Sequence, residues 1–359
     1  MSPSTSLDHA DHPGASAPAH TGPVLTVRDL SVSFTTESGR VSAVDGVDLT
    51  LGAGEIVGVV GESGCGKSVT SMSLAGLLPG SATVTGSIRL HGTERGDTEL
   101  VGAREPVLRG VRGREIAYIF QEPMTSLNPV VPVGHQVAEV LRAHERISRP
   151  AARERAVELL RLVGIPSPAQ RVDNYPHQLS GGMRQRVMIA MAVACDPKVL
   201  VADEPTTALD VTVQAGILQV LRDLRDRLGT SILFITHDLG VIADVADRVV
   251  VMYAGRVVEA GPVGDLFARP RHRYTAGLMA ASPQPGRHAG TERLDEIPGL
   301  VPVLAEQPDA CTFADRCSAA DQQCRAQRPP LSAPDRAPGG PAHVVACWHP
   351  VPDVPEEAR

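Results

Sequence analysis

Residues Gly61-Glu62-Ser63-Gly64-Cys65-Gly66-Lys67-Ser68 have the spacing G-x-x-x-x-G-K-S, set between an apolar run, GEIVGVVG, and a helix-forming stretch, SVTSMSLAGLL. That order suits phosphate. Glycines let successive backbone N–H groups turn inward around an anion, and the following helix N-terminus adds partial positive charge. Lys67 can reach the β- and γ-phosphates, the Ser68 hydroxyl can ligate Mg²⁺, and Val69 continues the first turn. The chain holds 34 basic residues, yet only Lys67 and Lys198 are lysines. A slim, flexible ammonium fits inside a phosphate loop where a planar guanidinium would not.

A second chemical element is Val199-Leu200-Val201-Ala202-Asp203-Glu204, an apolar strand ending in two acids. Ligands of open α/β sheets bind at such strand ends. Asp203 is placed to hold Mg²⁺, directly or through water, and Glu204 to orient and polarise an attacking water. Taken alone, a strand ending in solvated acids is ordinary; its position downstream of the phosphate loop gives it meaning. Four cysteines form the third element, spaced C-x5-C-x6-C-x22-C at Cys311, Cys317, Cys324 and Cys347. Four thiolates suit tetrahedral Zn²⁺ or a 4Fe–4S cluster, and four plain thiols are the remaining alternative. Zinc ribbons pair cysteines more closely than this, which favours the cluster. His343 and His349 flank Cys347, and either could replace a ligand.

Elements must position these groups. Residues 1–22 have no Lys, no Arg and no apolar core, and are expected to be a disordered tail rather than a signal peptide. From Pro23, VLTVRDLSVSF and VSAVDGVDLTL alternate as antiparallel strands do. GEIVGVVG, REIAYIF up to Gln121, VLVADEP and SILFITH are expected strands of a buried sheet. Helical patterns cover VAEVLRAHERI, AARERAVELLRLV, 182–194 and VTVQAGILQVLRDLRDRLG. The last 90 residues hold 14 of the 30 prolines and little periodicity. A net charge of −7 without a basic block argues against nucleic acid as a partner. No apolar run reaches the roughly 18 residues that span a bilayer, so a membrane role requires partner subunits.

Leu179-Ser180-Gly181-Gly182-Met183-Arg184-Gln185 opens a helix just before the Asp203-Glu204 strand. The order of phosphate loop, Gln121, LSGG, Asp203-Glu204, Ala208-Leu209-Asp210 and His237 resembles the full motif set of the ATP-binding cassette (ABC) family across 23–282. Met183 departs from the Gln common there. The resemblance implies an α/β ABC nucleotide-binding domain: a P-loop core, an antiparallel β subdomain and a helical subdomain inserted at about 122–180. A Cys-containing C-terminal extension follows at 283–359. It implies ATP hydrolysis with Glu204, His237 and Gln121 as catalytic residues, His237 on the γ-phosphate and Gln121 touching Mg²⁺. ATP would lie between the P-loop of one cassette and Ser180, Gly181 and Gly182 of another. Asp210 would sit at the dimer interface. Phe34 aligns with the adenine-stacking aromatic, a core Phe being the alternative.

FQEPMTSLNP, LSGGMRQR and HRYTAGLMAASP are similar to stretches of the ATP-binding subunits of oligopeptide and dipeptide importers. Relatives in that branch carry nickel chelates, glutathione or oligosaccharides, and some members hold a 4Fe–4S cluster in the extension. The implied partners are a second ATPase subunit (heterodimer favoured, homodimer the alternative), two transmembrane permeases and an extracytoplasmic solute-binding protein. The implied location is peripheral, on the cytoplasmic face of the cell membrane. A non-transport ABC ATPase is the competing reading, disfavoured by a single cassette without sustained heptads.

Overall fold

The computed structural model describes residues 22–37, 39–93, 96–121, 126–207, 209–282, 296–333 and 343–352. Of the expected N-terminal tail only Gly22 is among them. Glu122–Thr125 of the FQEPMTSLNP stretch, and Ala208, also lie outside the described residues.

Two sheets form the frame. β1 (Pro23–Thr36), β2 (Gly39–Gly52), β4 (Ala82–Thr93) and β5 (Gly96–Glu99) make an antiparallel sheet in the order β2-β1-β4-β5. The larger sheet contains β3 (Ile56–Val60), β6 (Ile116–Ile119), β7 (Val199–Asp203), β8 (Ser231–Thr236), β9 (Arg248–Tyr253), β10 (Arg256–Pro262) and β11 (Val344–Val345). Its order is β11-β10-β9-β3-β8-β7-β6. The run β9-β3-β8-β7-β6 is parallel, while β10 and β11 are antiparallel additions. Strands β3, β7 and β8 are buried at every position, which is why they read as continuous apolar runs rather than alternating ones.

The helices attach where capping residues allow. α1 (Lys67–Leu74) follows β3, and α2 (Glu105–Val111) follows β5. α3 (Val133–His144), α4 (Arg149–Leu162), the short α5 (Pro168–Arg171) and a 3-10 turn at Pro176–Gln178 form the helical stretch between β6 and β7. α6 (Gly181–Ala192) is capped by Ser180, whose hydroxyl accepts from the Met183 N–H. α7 (Val211–Leu228) is capped by Asp210 and ends at left-handed Gly229. α8 (Leu239–Val245), α9 (Val263–Ala268), α10 (Arg273–Ala281) and α11 (Gln322–Ala326) follow among the described residues. One core fills the space between the parallel sheet and α3, α4, α6 and α7. A second lies between the two sheets.

Three expectations change. The strand expected to reach Gln121 ends at Ile119, so Gln121 sits on the loop beyond it. α1 stops at Leu74 because Gly76, at φ +61, turns the chain out of the helix. The proline-rich C-terminal stretch also joins the main sheet: Val344 and Val345 pair with Ala260 and Glu259. A two-residue strand carries no period to detect.

Candidate functional site

Four neighbouring parallel strands, β3, β8, β7 and β6, end on one edge of the large sheet. Their chain continuations deliver the phosphate loop, His237, Asp203-Glu204 and Gln121 in that spatial order. This is the strand-end location that sheet topology favours for ligands.

The loop after β3 depends on its glycines. Gly61, Gly64 and Gly66 have φ of +153°, +82° and +100°, and a Cβ on Gly61 would lie 2.3 Å from the Met252 carbonyl oxygen. Gly66 packs against the Ala43 carbonyl of β2. Lys67 is 6% exposed, and its ammonium donates to the carbonyls of Gly61 (2.7 Å) and Glu62 (2.9 Å). It also approaches Cys65 Sγ at 3.6 Å. Cys65 is buried and burial pushes its thiol up, so it is a packing residue of the loop. Ser63 and Gly64 form the exposed tip.

Below the loop, Ser68 Oγ donates to Asp203 Oδ1 at 3.2 Å, and the Tyr118 hydroxyl donates to Asp203 Oδ2 at 2.7 Å. Ser71 bonds the same tyrosine at 2.8 Å. Burial raises Asp203 above the usual carboxylate range despite these hydrogen bonds. A divalent cation relieves that kind of destabilised anion, and Ser68 with Asp203 supplies the hard oxygen donors that Mg²⁺ takes.

Glu204 collects the other polar groups. It adopts φ +47°, a left-handed conformation costly for a non-glycine residue. Its Oε2 accepts from Gln121 Nε2 at 3.0 Å and from Thr207 Oγ1 at 2.8 Å, while Oε1 faces His237 Nδ1 at 3.2 Å. Burial alone would raise Glu204, but the hydrogen bonds from Thr207 and His237 and the charges of His237 and Lys67 outweigh it. Glu204 is held below its ordinary value. Two adjacent carboxyls are thus pushed in opposite directions, as sites with divided roles require.

The remaining expected residues lie elsewhere. Ser180, Gly181 and Gly182 begin α6, where a Cβ on Gly182 would meet Val213 at 2.4 Å. Asp210 caps the neighbouring helix. Among the described residues no hydrogen bond joins this corner to the phosphate loop. Phe34 is half-buried on β1, paired with Val41, two residues before the Ala43 that abuts Gly66. Tyr118 and Thr207 were missed by sequence reasoning, although Thr207, three residues after Glu204, could have been found from its spacing. Glu62 also has unexpected partners. Its N–H donates to the Tyr274 hydroxyl (2.8 Å), and its carboxylate takes two bonds from Arg316 (2.7 and 3.0 Å).

Cys311, Cys317, Cys324 and Cys347 line one enclosed space of about 10 Å³ with Phe313, Trp348 and His349 at its wall. Burial pushes the Cys311 thiol up to about 11, and the other three thiols add to the rise by charge. Cys324 and Cys347 are raised as well, burial first. Thiols this close favour deprotonation only beside a cation. One ligand atom from each of Asp321, Cys324 and His349 lies within 4.8 Å of the others. His343 instead pairs with buried Glu259 at 2.7 Å.

Residues 44–207 match the family model for ABC transporters, and 258–324 match the C-terminal region of oligopeptide/dipeptide transporters. The chain is 52% identical to a probable peptide ABC transporter ATP-binding protein, y4tR of Sinorhizobium fredii, over 90% of this chain and 94% of that one. It is 50% identical to the oligopeptide transport ATP-binding protein OppD of Bacillus subtilis, over 93% and 90% of the two. Among solved structures it is similar to the ATP-binding cassette MJ0796, a dimer in a post-hydrolysis state bound to ADP and Pi. That likeness has a TM-score of 0.59 and 26% identity, covering 67% of this chain and 98% of the other.

Proposed function

The chain belongs to the ABC transporter family, and from that premise we propose that it is the ATP-hydrolysing subunit driving uptake of di- and oligopeptides through partner permeases. One observation carries the enzymatic part: Gln121, Thr207 and His237 converge on Glu204 beside the phosphate loop. Relatives named as peptide transport subunits over nearly the whole chain support the solute class.

In this reading Lys67 and the N–H groups of Gly64 to Ser68 hold the β- and γ-phosphates, and Ser68 with Asp203 holds Mg²⁺, Gln121 adding a contact. When bound, the ion draws charge from the phosphate oxygens. Glu204, kept ionised, accepts a proton from water as the water oxygen bonds to the γ-phosphorus. The bond from the γ-phosphorus to the β–γ bridging oxygen breaks, and that oxygen leaves on ADP with the electron pair. His237 contacts the γ-phosphate and holds the Glu204 carboxylate in orientation. Ser180, Gly181 and Gly182 present a helix N-terminus to the γ-phosphate of a second cassette, so two subunits close over two nucleotides. The dimeric state of the similar cassette supports this arrangement. Phe34 stacks on adenine and Asp210 faces the subunit interface. We read 23–282 as the ATPase domain, with its helical subdomain at about 122–180, and 283–359 as the extension.

A groove of about 560 Å³ between α1, β6, α3 and α6, with Leu77, Phe120, Val140, Met188 and Met191 on its walls, fits an apolar helix of a permease. Phe120 is 47% exposed there, next to Gln121 of the site, which gives a short route from nucleotide to partner. No helix among the described residues is long and apolar enough to cross a membrane. The subunit would dock on the cytoplasmic face through such contacts.

For the four thiols the reading is a 4Fe–4S cluster held by Cys311, Cys317, Cys324 and Cys347, supported by their meeting at one pocket. A single zinc ion is the second reading, favoured by the small enclosed space and the mixed Asp321–Cys324–His349 group. Uptake tests the transport proposal. A source strain deleted for this chain should lose uptake of labelled tripeptide. The wild-type gene should restore it and the Lys67→Ala gene should not. Loss of nickel-chelate or oligosaccharide uptake with peptide uptake intact would replace the solute class.

A further inference from the structure

The guanidinium of Arg316 has five N–H donors, and each has an acceptor. Nε donates to the Pro298 carbonyl (2.7 Å). One terminal nitrogen donates to Glu62 Oε2 (2.7 Å) and the Tyr253 hydroxyl (3.4 Å), and the other to Glu62 Oε1 (3.0 Å) and the Ile297 carbonyl (3.2 Å). The Arg316 side chain is 6% exposed and lies 5.6 Å from the Tyr253 ring centroid. Such a fork is fixed in plane and in position, unlike a solvated surface arginine.

Its acceptor, Glu62, is the second residue of the phosphate loop, and the same cluster holds the loop backbone as well. The Glu62 N–H ends on the Tyr274 hydroxyl. Tyr274 and Tyr253 are fully buried and pack on each other and on Phe313 at 4.7–5.4 Å between centroids. Arg316 lies in the 3-10 turn between Cys311 and Cys317, 254 residues along the chain from Glu62. The phosphate loop thus has one wall supplied by the C-terminal segment.

We propose that Arg316 is a positioning residue for the nucleotide site: by clamping Glu62 it holds the phosphate loop in its receptive form, so the C-terminal segment sets ATP affinity. This rests on reading residues 61–68 as the phosphate cradle. The clamp acts on ground-state binding rather than on the water, because Glu204 and its partners lie on the loops after β6, β7 and β8, not on the loop after β3 that Arg316 holds. Removing it lets the loop sample closed or displaced forms, which lowers apparent affinity by the fraction lost.

Binding of a fluorescent ATP analogue to the full chain provides the test, with the melting temperature of the nucleotide-free protein measured beside it. Arg316→Ala should weaken binding about tenfold, and Arg316→Lys, which keeps charge but not the fork, by an intermediate factor. Steady-state KM for ATP should rise with kcat within about twofold. Glu62→Gln should weaken binding similarly, and combining it with Arg316→Lys should add little. If Arg316→Ala fails to fold, Glu62→Gln and the double variant decide. Affinity within twofold of wild type in the folded variants, or full additivity in the double variant, overturns the clamp even if melting falls. A wild-type chain that binds no nucleotide would overturn the phosphate-cradle reading and the clamp with it.

Discussion

The strand-end site and the thiol-bearing C-terminal segment are held in place by different means. Around Asp203 and Glu204 the positions come from backbone: four adjacent strands of a parallel sheet, of which β3, β7 and β8 are buried at every position. The C-terminal segment has a 3-10 turn, a five-residue helix and a two-residue strand. Besides the β10–β11 pairing and the buried Phe313, arginines hold it. Arg316 grips Glu62, while Arg256 and Arg328 share Asp45 at 2.9 and 3.0 Å. Arg256 also donates to the Ala310 and Pro308 carbonyls, and Arg273 to that of His349. The proposed catalytic geometry is built on rigid elements, whereas much of the attachment of the segment that adjoins the phosphate loop is by polar links that can be altered singly.

If that contrast is right, damage at the strand ends should stop chemistry outright. Glu204→Gln keeps shape and removes the proposed base, so ATP turnover should fall by more than about 10²-fold. Nucleotide affinity, measured by equilibrium binding, should stay within about twofold. Unchanged turnover would remove Glu204 as the base and break the comparison at its stronger side.

Damage in the other region should cost a cofactor rather than the chemistry. Purified protein should be brown and absorb at about 400 nm if the thiols hold a 4Fe–4S cluster. Cys324→Ser or Cys347→Ser should bleach it while turnover changes only a few-fold. Colourless protein with one zinc per chain would replace the cluster by the second reading. The polar attachment can be cut without touching a thiol. Asp45→Ala leaves Arg256 and Arg328 without their shared carboxylate and should loosen the segment by about 2 kcal/mol. Hydrogen exchange should then rise over 308–330 while β3, β7 and β8 stay protected. Equal loosening of both regions would mean that they do not differ as described.

The same difference explains what could be read from sequence. β3, β7 and β8 were visible as apolar runs because strands buried on both faces leave no polar period, and the loops they feed carry dense motifs at fixed spacing. Gln121, Glu204 and His237 were named from motif order across 117 positions, and they meet through hydrogen bonds. Tyr118 was not found, since one polar group in a four-residue apolar strand has no pattern around it. Arg316 and Tyr274 were invisible for a stronger reason. Their partner Glu62 lies more than 200 residues away, and a bond between distant side chains leaves no periodicity in either stretch. Val344 and Val345 joined the sheet unannounced because two residues cannot show alternation.

The smallest expected effect is the most specific to the strand-end site. Thr207 donates to Glu204 Oε2 at 2.8 Å and is one of the groups that keep this carboxyl below its ordinary value against the opposing effect of burial. A carboxylate with a lowered value stays ionised as pH falls, so wild-type turnover should persist into acid until protonation of Glu204 ends it. Its contribution to stability is likewise present above the unfolded value and lost as pH falls through the folded one. Thr207→Val removes the donor while keeping the shape. Burial then acts less opposed, the Glu204 value rises, and the acid limb of kcat should move to higher pH. At pH 8, where Glu204 is ionised in both proteins, turnover should agree within about threefold. A pH–rate profile separates the two effects: an unmoved acid limb would mean that His237 and Lys67 hold the carboxylate ionised without Thr207. Asp45→Ala on β2, which cuts part of the C-terminal attachment, should leave that limb in place, since neither Asp45 nor any residue of that segment is bonded to Glu204 among the described residues.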